Sequence, residues 1–302
     1  MPKNLSIITS SYRWEKFLSS FFESVADQTI FSEIEIVFVS NDTTAWEKDI
    51  IERFQKKYPE HICFIEVARE PISVSMNRAI LASHGEYIFN WDIDDLRTNT
   101  SIELQYKTLS SQKDVMLTYG DFLITKEFGS TEGIYIESPE FNKQDFMMSM
   151  HCWPFRAWKK IVHERIGYFD EQLRSGADFD LMVRIATVFT MKKTPWLLGY
   201  YLNANTWLST GGQGTFFSLQ SRELRVIHTR YNVYSKIDLL VPTWWYTISS
   251  LLFWGKYISL EDLGFPLKPH FSIYESLQSV FFTLKYWSLR ILKYIYLFIK
   301  RK

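Results

Sequence analysis

A chain of 302 residues holds one large domain, or a domain with an appendage, and can bury a substantial core. Lysine plus arginine and aspartate plus glutamate both number 34, so no global positive field attracts nucleic acid. Two cysteines, Cys63 and Cys152, with no Cys-x-x-Cys pair, exclude a disulfide framework and a cysteine-rich zinc site and suit a reducing compartment.

Met1-Pro2-Lys3-Asn4 leads directly into a strand-like run at 5–9, with no apolar stretch of signal-peptide length, which speaks against secretion. Residues 14–26 carry helical periodicity through Phe17, Leu18, Phe21, Phe22 and Val25. A second strand is predicted over 34–39, an amphipathic helix over 45–57 and a third strand over 62–67. A helix over 74–82, a fourth strand over 87–91 and a helix over 102–109 follow. This alternation implies a mostly parallel sheet with right-handed crossovers and helices on both faces. Parallel strands share one direction, so the residues that follow them meet along one edge. Those residues are Ser10, Ser11 and Tyr12 after the first strand, Asn41 and Asp42 after the second, and an acidic cluster after the fourth.

The fourth strand runs through Tyr87-Ile88-Phe89-Asn90-Trp91 and ends in Asp92-Ile93-Asp94-Asp95. Three carboxylates placed together repel one another unless they share a cation, and Asp92 and Asp94 are spaced to face one centre. Mg²⁺ or Mn²⁺ with a substrate diphosphate fits such oxygen ligands. The same tetrapeptide also reads as a loop followed by a helix N-cap, since aspartate is favoured in both places. Thr9-Ser10-Ser11-Tyr12-Arg13 has no glycine, which excludes a dinucleotide fingerprint or a P-loop at the first junction. Gly211-Gly212-Gln213-Gly214 reads as a loop more readily than as a phosphate cradle. Aromatic residues make up 17% of the chain; core packing and stacking on sugars both account for that.

The order and spacing of several segments resemble family 2 glycosyltransferases. They are Leu5-Ser6-Ile7-Ile8-Thr9, Glu35-Ile36-Val37-Phe38-Val39-Ser40-Asn41-Asp42, Gly85-Glu86-Tyr87-Ile88, Asp92-Ile93-Asp94-Asp95, Ile166-Gly167-Tyr168-Phe169-Asp170-Glu171 and Ala177-Asp178-Phe179-Asp180. The resemblance implies an α/β fold of the nucleotide-diphospho-sugar transferase (GT-A) type. It implies that Ser10, Tyr12, and Asn41 or Asp42 hold the nucleotide, with Asn77 near the donor. It further implies Asp92 on the ribose side, Asp94 with Asp92 at a divalent metal, Asp95 in support, and Asp178 as catalytic base. Met76 stands where this family often has arginine, and Ala177 where an acid commonly precedes the base.

Alone, Asp178 also reads as an N-cap at the start of a helical run; Asp180 has Arg184 four residues on and reads as its structural partner. His151-Cys152-Trp153-Pro154 reads as a substrate-side loop in which Trp153 stacks on a sugar, or as an ordinary loop with a hydrogen-bonded histidine. Beyond a catalytic domain at 1–235, an aromatic-rich helical extension is expected over 236–302. Residues 239–255 are uncharged but short for a membrane span. Residues 277–299 form an apolar face with Lys285, Arg290, Lys293 and Lys300 gathered opposite; this fits attachment to an anionic membrane surface, or packing on the catalytic domain. Residues 276–302 hold six basic residues and no acid; the remaining 28 basic against 34 acidic residues leave the body at −6.

Together these readings predict an inverting, metal-dependent glycosyltransferase, cytoplasmic and peripheral on the inner membrane face. Its partners are a nucleotide-diphosphate sugar and a glycan or lipid-linked acceptor. A nucleotidyltransferase, or a degenerate subunit that only binds nucleotide or glycan, are the alternatives.

Overall fold

The computed structural model describes residues 3–148, 151, 154–203 and 219–231. The expected extension at 236–302, the glycine-rich run at 211–214 and Trp153 lie outside the described residues.

Four parallel strands form the first half of the sheet: β1 (Leu5–Ser11), β2 (Ile34–Asn41), β3 (Ile62–Val67) and β4 (Tyr87–Asn90), in the order β3-β2-β1-β4. Successive side chains point to opposite faces. Ile7, Ile36, Phe38 and Phe89 join one apolar cluster, while Ile8, Val37, Val39 and Ile88 join the other. The helices α1 (Glu15–Ala26) and α2 (Ala45–Lys57) cover the first face through Phe21, Phe22, Ile51 and Phe54. The Phe22 and Phe54 rings stack at 4.3 Å, and each such buried ring contributes roughly 1.5–3 kcal/mol. Helix α3 (Ile72–Ala82) lies on the other face through Met76, Ala79 and Ile80. Gly85 precedes β4 because a Cβ there would stand 2.6 Å from Ser6 Oγ and 2.7 Å from the Asn4 carbonyl.

The chain then forms β5 (Leu96–Arg97), α4 (Ser101–Ser111), β6 (Val115–Thr125), β7 (Ile134–Ile136) and α5 (Lys143–Met148). Next come β8 (Ala157–Lys159), α6 (Val162–Ile166), α7 (Ala177–Val188), β9 (Thr190–Leu202) and α8 (Leu219–Arg230). The full order is β3-β2-β1-β4-β8-β6-β9-β5, with β7 paired to β6. Strand β8 runs antiparallel to both β4 and β6, and β9 runs parallel to β6. Strands β1, β2, β3, β4, β6 and β9 therefore share one direction, and only the two- and three-residue strands β5, β7 and β8 oppose it. The mostly parallel sheet expected from the first 120 residues holds, with these three reversed strands added.

Reversal has a consequence for the site. Phe89 pairs with Ala157, and the Asn90 N–H donates to the Arg156 carbonyl at 3.1 Å. The residue preceding β8 is thereby delivered to the edge where β4 ends in its acids.

Candidate active site

The ends of β1, β2 and β3 make a polar shelf. Asn41 is buried, and its amide nitrogen lies 3.2 Å from Ser10 Oγ, 3.2 Å from the Ser11 carbonyl and 3.1 Å from Ser75 Oγ. Its amide oxygen accepts from the Glu70 N–H at 2.9 Å. These bonds tie the end of β2 to β1, to α3 and to the segment before α3, so Asn41 braces the shelf. Asp42 instead is exposed, in a left-handed backbone conformation (φ 47°) that aspartate tolerates better than most residues. One of its oxygens accepts from the Arg69 N–H at 3.1 Å. The Arg69 guanidinium lies 4.3 Å from the centre of the Tyr12 ring and donates to the Tyr12 hydroxyl at 3.2 Å. Glu47 holds the turn below: it completes a capping box with Thr44 at the start of α2, and its carboxylate also accepts from the Trp14 N–H at 3.0 Å. Asn77 is used internally too. It pairs with Phe169 through both ends of its amide (2.9 and 2.8 Å) and donates to Glu171, which fixes α3 to the segment before α7.

The acids follow at the end of β4. Asp92 and Asp94 are half-buried and Asp95 is buried. Burial, reinforced by the charge of Asp92, pushes the Asp94 carboxyl up to about 7. Burial also raises Asp92, against the opposing pull of Arg156, and raises Asp95 well above the usual carboxylate range. Desolvation of these carboxyls outweighs the pull of the nearby arginines, Arg156 on Asp92 and Arg97 on Asp92 and Asp95. Asp95 is tied inward, accepting from the Leu202 N–H at 3.1 Å, while its carbonyl accepts from the Trp91 indole at 2.9 Å. Among the described residues no three metal-type side chains converge on one point. Two half-buried carboxylates short of positive charge, with the remaining positions left to water or phosphate, fit Mg²⁺ or Mn²⁺ shared with a substrate.

Asp178 sits in the first turn of α7, half-buried. Its Oδ1 accepts from the Phe179 N–H at 2.7 Å, and its Oδ2 stands 3.5 Å from Arg156 Nη2. Asp180 has the opposite setting. It is fully buried and ligated by Arg184 (2.7 Å), Arg230 (3.2 Å) and the Tyr231 hydroxyl (2.8 Å), in keeping with a structural role. The chain entering α7 is clamped by Glu223 of α8, whose carboxylate accepts from the N–H groups of Arg174 (2.9 Å), Ser175 (2.7 Å) and Gly176 (2.7 Å). His151 is half-buried with its ring 5.2 Å from that of Phe146.

A sheet edge that carries a polar shelf, a cluster of acids and a half-buried carboxylate at a helix start invites comparison with known proteins. The profile of the family described as Glycosyl transferase family 2 matches residues 6–166, more than half of the chain. The chain belongs to glycosyl transferase family 2. An uncharacterised glycosyltransferase of Methanocaldococcus jannaschii is 25% identical over 60% of this chain and 63% of its own length. The S. aureus TarS 1–349 structure in complex with UDP-GlcNAc superposes with a TM-score of 0.57 at 16% identity, over 76% of this chain and 66% of that one. The mannosyltransferase PcManGT of Pyrobaculum calidifontis, in complex with GDP-Man and Mn²⁺, gives 0.51 at 16% identity, over 77% and 63%. This family 2 chain thus spans under two thirds of the length of each of these proteins, and the two structures establish its GT-A fold.

Three site residues escape a reading of this family 2 sequence. Arg69 carries a faint signal, since it follows a strand at the same edge. Arg156 and Glu223 carry none, because their partners lie 22 and about 48 residues away in sequence.

Proposed function

We propose that this family 2 member transfers a sugar from a nucleoside-diphosphate donor to a glycan or lipid-linked acceptor, by a single displacement with inversion. The observation that carries the reading is the arrangement along one sheet edge: an exposed Asp42 beside Tyr12 and Arg69, then Asp92 and Asp94, then Asp178. Tyr12 offers its ring to the base, and Asp42 accepts from a ring N–H, which uracil, thymine and guanine have and cytosine lacks. Asp94 and Asp92 hold a divalent ion, as Mn²⁺ accompanies GDP-Man in PcManGT. When bound, that ion neutralises charge that collects on the leaving diphosphate.

Asp178 accepts the proton of the acceptor hydroxyl as its oxygen forms the bond to the anomeric carbon. The bond from that carbon to the diphosphate breaks on the opposite face, which inverts the configuration. A positioned base of this kind contributes about 10²–10⁴-fold. Its carboxylate is oriented for the task by the Phe179 N–H and Arg156, which fix one side of each oxygen and leave lone pairs for the proton. The basic amphipathic pattern over 277–299 supports a membrane-surface acceptor. No helix among the described residues is long and apolar enough to cross a membrane.

The test is a thermal-shift screen of UDP, GDP, dTDP and CDP, each with Mn²⁺, Mg²⁺ or EDTA. The expected result is metal-dependent stabilisation by UDP, dTDP or GDP and none by CDP, since a ligand that binds only the native state raises its melting point. A folded sample that shifts with none of the four contradicts the reading.

A further inference from the structure

Arg156 has hydrogen-bonding capacity that the protein does not use. Its residue is 5% exposed, yet Nε and Nη1 have no hydrogen-bond partner among the described residues. Nη2 alone meets an acceptor, Asp178 Oδ2, at the outer limit of hydrogen-bond distance (3.5 Å). A buried guanidinium with open donors is costly to fold, and the cost is recovered when an acceptor arrives. The backbone of Arg156 is fixed beside Asn90, two residues before Asp92, and the guanidinium that reaches Asp178 is also close enough to act on the charge of Asp92.

Arg156 has more open donors than the nearby cations, of which Arg97 leaves only Nε without a partner. Both Nη atoms of Arg97 donate within the protein, to Gln105 and to the Asn90 carbonyl, and Arg69 lies against Tyr12. The α3 position where the family often carries arginine is Met76, buried in the core. A permanent cation with unused planar donors suits phosphate oxygens above any other group of a nucleotide-sugar.

We propose that Arg156 binds the diphosphate of the donor, donating from Nε and Nη1 to its oxygens, and thereby holds the charge of the leaving group. This rests on the donor-site reading above. Arg156 is then a substrate-contacting residue, and its contact with Asp178 sets the spacing between the leaving diphosphate and the base.

The test is calorimetric titration, in Mn²⁺, of a nucleoside diphosphate and the matching monophosphate into the wild type, Arg156→Gln, Arg156→Lys and Asp178→Asn. The diphosphate is whichever of UDP, GDP, dTDP and CDP the wild type binds most tightly. Arg156→Gln is expected to weaken the diphosphate about tenfold or more and the monophosphate less than about twofold, with Arg156→Lys between and Asp178→Asn not weakened. Equal weakening of both ligands in Arg156→Gln and Asp178→Asn would mean that Arg156 acts only through Asp178, and would overturn the proposal. So would wild-type diphosphate affinity in Arg156→Gln. If that variant does not fold, Arg156→Lys decides by the same ratio. A wild type that binds no diphosphate would overturn the donor-site reading itself, a distinct outcome.

Discussion

Asp178 and Asp180 stand two residues apart on one helix, and their surroundings give them different tasks. Asp180 is enclosed by two arginines and a tyrosine, so its charge is spent on holding α7 to α8. Asp178 meets one arginine at 3.5 Å and keeps a solvent-facing side. Asp178→Asn is therefore expected to lower donor turnover, read as release of nucleoside diphosphate, by roughly 10²–10⁴-fold. The metal-dependent melting shift should persist in that variant; turnover close to wild type would move the base elsewhere. At this scale the sequence marks which polar residues gather at the strand ends, but not which way they face. Asn41, Asp42 and Asn77 look alike as site candidates. Only the long-range bonds of the two asparagines to Ser75, Glu70 and Phe169 reveal that they are internal braces, while Asp42 faces outward.

The elements of the first half were legible because their signals are local. The predicted helix at 45–57 and strand at 62–67 match α2 and β3 end to end, and the other predicted elements there differ by one or two residues at their ends. Strands β6, β8 and β9 were not legible. The pairing of β6 with β9 carries register shifts around Asp121, and β9 itself holds Pro195 and a left-handed Trp196 (φ 83°), which break any alternation. Element β8 is three residues long, and α6 is positioned against it by a buried histidine. His163 accepts from the Trp158 indole at 2.9 Å and donates to the Gly167 carbonyl at 2.8 Å, and burial pulls it down to about 4. The unfolded chain takes up that proton near pH 6.5 and the folded one only near 4. This neutral histidine therefore adds no penalty above pH 6.5, and its contribution to stability is lost progressively as pH falls from 6.5 to about 4. The melting temperature should fall more steeply over that window in the wild type than in His163→Gln; equal slopes would mean the histidine is not held neutral.

Across the whole molecule, six strands in one direction bring the polar shelf, the acids and the start of β8 to a single edge, while α7, clamped by Glu223 of α8, carries Asp178. The sequence anticipated that edge because parallel direction is a property of the alternating pattern, not of any one residue. It did not anticipate Arg156, which stands just before the reversed strand β8. The proposed chemistry depends most on Asp94, which would hold a divalent ion that in turn holds the donor diphosphate. Calorimetric titration of UDP and GDP into wild type and Asp94→Asn, in Mn²⁺ and in EDTA, tests it directly. The expected result is binding of one diphosphate by the wild type that weakens at least about tenfold in EDTA, with Asp94→Asn in Mn²⁺ no tighter than the wild type in EDTA. Binding to Asp94→Asn that Mn²⁺ tightens as much as it does in the wild type would contradict the account.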